Sequence, residues 1–254
     1  MFQPAALANP VIAQSNPITN VLQRIRGLLT STPQSGAPTG RTKGGAGRGR
    51  FCPTTQFSVS ALVPSIQGNE QNSQDGSARV AEPEIVFGTT VEANPTFWFY
   101  VPYQAEESLR TASFVLLDDQ ERPVLPEPIL ISFSNTPGII RFQLPYSLAV
   151  NQLYNWYFSI LCDPLKPSRN SGVRGWIQRV DPSTELLAEL EHRDSVRPYM
   201  PYAENGIWFE AVTYLARSYY QNADNSAYQQ DWADLLDSIG LSELRNAPIV
   251  DCCG

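Results

Sequence analysis

The stretch Asn155-Trp156-Tyr157-Phe158-Ser159-Ile160-Leu161-Cys162 decides how this chain is read. Its side chains alternate: Trp156, Phe158, Ile160 and Cys162 fall on one face, Tyr157, Ser159 and Leu161 on the other. That two-residue period is the signature of a strand with a buried side. Asp163-Pro164 ends it, because proline cannot donate to a ladder. Working outward toward the N-terminus, similar short runs rich in β-branched and aromatic residues occur at Phe57–Val63, Ile85–Val91, Pro95–Val101, Ala112–Leu117, Pro128–Phe133 and Ile139–Leu144, and one more follows at Arg174–Val180. Turn signals such as Asp118-Asp119 and Pro137-Gly138 separate them, and a polar loop is expected from Gln67 to Ser77. Six to eight such strands without intervening helices predict an antiparallel, immunoglobulin-like β-sandwich over residues 51–180.

From Asp181 the period changes. Asp181-Pro182 reads as a cap followed by proline at the first helical position, with Leu186, Leu187 and Leu190 on one face. A second helix is expected from Ala203 to Gln221, where Ile207, Trp208, Ala211, Val212, Leu215 and Tyr219 recur at helical spacing. A third carries Tyr228, Trp232, Leu235, Leu236 and Ile239 and stops at Gly240. The expected class is therefore α+β: a sandwich followed by a helical cap over residues 181–254, packed on it.

Charge divides the chain differently. No Asp or Glu occurs before Glu70, whereas Arg24, Arg26, Arg41, Lys43, Arg48 and Arg50 all precede it. Residues 1–50 read as a basic Gly/Pro/Ser-rich arm, with one short amphipathic stretch, Ile18–Leu29, too small to hold a helix alone in water. The remainder is strongly acidic within a net charge of −7, which repels phosphate backbones and disfavours nucleic acid as a partner of the body. The Gly40–Arg50 tract offers four cations on a flexible backbone, but no aromatics interleave them, so a solvated linker is favoured over binding of nucleic acid or an anionic surface. No run of 18 apolar residues is present, so no transmembrane helix is expected. Ala6-Leu7-Ala8 matches the small-residue pattern of a signal-peptidase site without the apolar segment that should precede it; it is either the remnant of a longer leader or an accident.

Four cysteines leave two readings open. Cys52 and Cys162 flank the strand region and are either a disulfide closing a long loop or two buried thiols. The adjacent Cys252 and Cys253 suit a tether to another chain better than a bond to each other.

The basic Gly-rich lead-in to Cys52-Pro53, Ala61–Pro64, Pro95–Pro102, the Leu144-Pro145 turn, Tyr154–Phe158 with Cys162–Pro164, Gly175–Arg179 and Tyr202–Ala211 together resemble a cyanobacterial family known only as a domain of unknown function, number 928. The resemblance spans about Gly44 to Pro248. It implies export, hence a periplasmic or extracellular location, and implies no activity.

The chemical inventory is thin. The single histidine, His192, lies between Glu191 and Arg193, where it faces solvent at a helix end rather than serving a triad. With one histidine and no CxxC pair, neither metal nor cofactor is expected. Carboxylates cluster at Glu106-Glu107, at Asp118-Asp119 with Glu121, and at Glu204 with Glu210, the last pair six apart on different helix faces. Turn-making and solubility explain them more simply than catalysis or calcium binding. The aromatic cluster is the strongest positive feature. Either Trp98, Tyr100 and Tyr103 are covered by the helices, or they form an open ring surface for sugars or a partner. The resulting expectation is a non-enzymatic, exported binding or scaffold module whose partner is another protein or a cell-envelope component. The alternatives are a carboxylate-dependent hydrolase working in a groove between sandwich and helices, and arm-mediated binding to nucleic acid.

Overall fold

A computed structural model describes residues 43, 52–66, 84–106, 109–163, 170–191 and 196–251. The amphipathic stretch of the arm, the polar loop after Ile66, His192, Cys252 and Cys253 lie outside the described residues. Among the described residues nine strands come first: β1 (Ser60–Ala61), β2 (Ser65–Ile66), β3 (Ile85–Thr90), β4 (Thr96–Val101), β5 (Thr111–Leu117), β6 (Ile129–Ser132), β7 (Gly138–Gln143), β8 (Leu153–Ile160) and β9 (Ser171–Arg179). Four helices follow, α1 (Thr184–Glu191), α2 (Met200–Glu204), α3 (Trp208–Gln221) and α4 (Ser226–Ser238), with a final 3₁₀ turn at Ser242–Leu244. The described residues are thus α+β, strands first and helices last.

The strands form a three-stranded sheet, β1-β4-β7, and a six-stranded sheet, β2-β3-β9-β8-β5-β6. Their pairing departs from the all-antiparallel expectation at one seam: β3 runs parallel to β9, with Phe87 opposite Trp176 and Thr90 opposite Arg179. The two sheets meet through aromatic side chains. Phe99 of β4 stacks on Phe158 of β8 at 3.9 Å between ring centres, and Phe97 sits edge-on to both Phe114 and Trp156. The face of the deciding stretch predicted to point inward does so, since Trp156, Phe158 and Ile160 are wholly buried.

Close strand packing sets one sharp steric demand. Gly175 lies directly opposite Trp156 in the β8–β9 ladder, and a Cβ there would come within 2.5 Å of the Trp156 ring and 2.7 Å of Val86. The ring is wholly buried and cannot swing aside. Gly175→Ala should therefore lower stability by about 1–3 kcal/mol through overpacking. A shift of the urea midpoint measures it, and an unchanged midpoint would show that the ladder can spread.

Helices cover the outer side of β4. Gly88 of β3 lets α3 approach so closely that an added Cβ would touch the Phe209 ring at 2.9 Å, and the Trp208 indole N–H donates to the Leu62 carbonyl at 2.9 Å. The expected helix from Ala203 is in fact two. Gly206 adopts φ +75°, a left-handed conformation that favours glycine. It ends α2 and turns the chain into α3, and the Thr89 hydroxyl donates to its carbonyl at 2.6 Å. For α1 the cap is Ser183, whose hydroxyl accepts the Leu186 N–H, rather than Asp181. The α3–α4 pair is locked by Tyr219 stacked on Trp232 at 5.5 Å.

Candidate functional site

The last two residues of β3, Thr89 and Thr90, are threonines buried to within 1% of full enclosure. Buried hydroxyls need partners, and these two reach the start of α3. Thr89 holds Gly206, as above. Thr90 accepts the Glu92 backbone N–H at 3.1 Å and donates its single proton to Glu210 Oε1 at 2.5 Å. The strand end thus fixes the first turn of α3, and with it the orientation of Glu210.

Along α3, Glu210, Thr213, Tyr214 and Arg217 stand at i, i+3, i+4 and i+7, so they form one stripe of the helix. That stripe faces Glu92 and Asn94 in the turn after β3, together with Thr96 and Gln143, which pair across β4 and β7. Between them is a groove of about 210 Å³ with polar walls. Glu92, Asn94, Gln143 and Arg217 are exposed at its rim, while Glu210 is only 4% exposed. Thr213 is tied down by the Trp98 indole N–H at 3.0 Å, and Tyr214 stacks on Tyr202 at 5.1 Å.

The electrostatics of the groove centre on Glu210. Burial pushes its carboxyl up to about 7, the hydrogen bond from Thr90 opposes the rise, and the negative charge of Glu92 adds to it. Its position in the first turn of α3 favours the anion, yet desolvation dominates. Because Oε1 already accepts the Thr90 proton, a proton on Glu210 belongs on Oε2. That oxygen is buried and accepts no hydrogen bond of ordinary geometry from a described residue, whereas most buried side-chain oxygens have a partner; the Glu210 and Val91 backbone amides favour the carboxylate as a whole without offsetting its burial.

Of the residues singled out from sequence, Glu210 alone lines the groove. Trp98, Tyr100 and Tyr103 are 3%, 7% and 5% exposed, so they do not form the open ring surface; Trp98 is covered by α3 through Thr213, and Tyr100 by the edge of Phe57. Cys52 and Cys162 are joined in a disulfide with Cα atoms 5.2 Å apart. Asp118 closes its own turn: the Arg122 and Gln120 amides and the Arg122 guanidinium bind its carboxylate and hold it below the ordinary range. Glu204 and Glu210, read as one helix, belong to α2 and α3 respectively. Among the described residues no three His, Cys, Asp or Glu side chains are placed to hold a metal ion. Nor is any described helix long and apolar enough to cross a membrane.

The groove escaped sequence reading because Glu92 and Glu210 are brought together only when α3 docks on β3. One signal was present: a polar stripe at helical spacing in a segment whose other positions are almost all apolar. Residues 43–249 match a family model described as Domain of Unknown Function (DUF928). No curated protein and no solved structure matches the chain.

Proposed function

The chain belongs to the DUF928 family, and from that premise, which brings no activity with it, we propose that the protein is an exported binding module of the cell envelope whose ligand occupies the α3 groove. The observation that carries this reading is Glu210: a carboxyl inside a polar groove, nearly devoid of solvent contact, with one oxygen unpartnered. Its aromatic, double-sheet support, which we read as immunoglobulin-like, holds the groove rigid because Thr90, Thr213 and Tyr214 are each fixed by a neighbour. Export is supported by the Cys52–Cys162 bond, since such crosslinks persist chiefly in oxidising compartments.

A second reading draws on the same groove. Glu92 and Glu210 share it, and a pair of carboxyls across a concave site is the equipment of an acid–base hydrolase, one protonated and one ionised. A thermal-shift screen of small polar molecules and soluble envelope glycans separates the two, run on the wild type and on Asn94→Trp, which blocks the rim at an exposed position. Binding predicts compounds that stabilise the wild type, are recovered intact, and lose their effect in Asn94→Trp. Cleaved compounds, spared by Glu210→Gln, would establish the hydrolase instead. Stabilisation that survives in Asn94→Trp would place the ligand outside the groove and overturn both.

A further inference from the structure

The charges of the groove are arranged in a way that its own contacts do not use. Glu92 and Arg217 both line it, yet no ion pair joins them to each other or to any other described residue. Arg217 instead rests over the Tyr214 ring at 6.0 Å. It stands two helical turns, about 10 Å of rise, from Glu210. A direct Glu210–Arg217 pair is also absent, so the two ends of the stripe carry opposite charge character with open groove between them. Resting on the binding reading above, we propose that this groove is a site for a small zwitterionic amine, whose ammonium lies against the Glu210 and Glu92 carboxylates and whose anionic end turns to Arg217.

Two features select this chemistry. The unpartnered Glu210 Oε2 needs a donor once ionised, and a charge-assisted N–H···O bond in a water-poor site is worth roughly twice a neutral one. Glu92 is near enough for its charge to be felt at Glu210, so one cation between them interacts with both. A neutral polyol satisfies Oε2 but leaves Glu92 and Arg217 unused; a plain carboxylic acid meets Arg217 but is opposed by Glu92.

Occupancy is then linked to a proton. The charged or titratable groups that line the groove with Glu210 are Glu92 from the turn after β3 and Tyr214 and Arg217 from its own helix, and β4 and β7 contribute the neutral Thr96 and Gln143 to that lining; beyond it, Arg179 of β9 lies opposite Thr90 with its guanidinium held by the Val91 and Leu148 carbonyls, and Arg141 of β7 lies opposite Trp98. Glu210 is therefore the group that gives up its proton to the solvent when the ammonium arrives. Affinity should rise about tenfold between about pH 6 and about pH 8 and level off above that.

The experiment is calorimetric titration of the full chain with glycine, 4-aminobutyrate and 6-aminohexanoate, each in two buffers of different ionisation heat, beside acetate and glucose. The expected result is binding of at least one zwitterion with proton release below neutrality, loss of that release in Glu210→Gln, and several-fold weaker binding in Arg217→Gln. Circular dichroism of both variants confirms that they fold. Uptake of glucose or acetate without proton exchange overturns the ammonium assignment while leaving the groove as a binding site. Zwitterion binding that is unchanged in Glu210→Gln overturns it as well. If none of the probes binds wild type while the thermal-shift screen finds a groove ligand, the assignment fails and the binding reading stands; if that screen is also empty, both fail.

Discussion

Replacing Cys52 and Cys162 together by serine should lower the free energy of unfolding by about 5 kcal/mol, the largest effect expected of any substitution considered for this protein. The bond joins residues 110 apart, and the loop it closes contains eight of the nine described strands. Without it, the unfolded chain regains the freedom of that whole loop. The folded chain also loses the anchor of its first described segment. Between Cys52 and β1, Phe57 lies edge-on to Tyr100 and Val59 is wholly buried, and β1 contributes Ser60 and Ala61 to the ladder with β4. Domains of this size are stable by roughly 5–15 kcal/mol, so the loss amounts to a third of the total or more. Urea denaturation of the double variant, and of wild type with and without reductant, measures it. Equal midpoints would mean that the aromatic core alone determines stability.

Legibility from sequence followed the range over which each feature is decided. Strand positions were readable because alternation and turn residues are local: β3 to β9 each fall within three residues of the expected limits. The partner of a strand is not local. β3 (Ile85–Thr90) is largely apolar and β9 (Ser171–Arg179) mixes apolar with polar residues, and nothing in either run distinguishes a parallel from an antiparallel neighbour. Strand β4 shows the same division. Thr96–Val101 announces two apolar faces, but that Phe97 and Phe99 face the other sheet while Trp98 meets Thr213 depends on a helix more than a hundred residues away. Asp118, a candidate calcium ligand by residue type, is used by the turn it belongs to. Glu210 was visible as an acid near the start of an amphipathic helix and as half of a carboxylate pair with Glu204. Its role is set by Thr90 and Glu92, which the chain supplies from an unrelated segment.

That tertiary setting has a measurable consequence for Glu210→Gln. In the unfolded chain this carboxyl titrates near its ordinary value of 4.5, and in the fold burial raises it to about 7. Between those values the folded state keeps a proton that the unfolded state has released, so stability falls as pH rises through that window. Below it both states are protonated and the contribution is fully present; above it both are ionised and the loss is complete. The span corresponds to about 3 kcal/mol for a carboxyl that is wholly enclosed. Glutamine imitates the protonated form, since its carbonyl oxygen can still accept from Thr90 while its amide replaces the buried Oε2–H, and it does not titrate. The variant should therefore lack this part of the pH dependence. Relative to wild type it should gain about 3 kcal/mol between about pH 4 and about pH 8, becoming the more stable of the two on the alkaline side. Urea unfolding of both proteins across that range provides the comparison. Parallel stability curves would mean that Glu210 is ionised in the fold at all these pH values, in which case its unpartnered oxygen is solvated and the groove is open to water down to its floor.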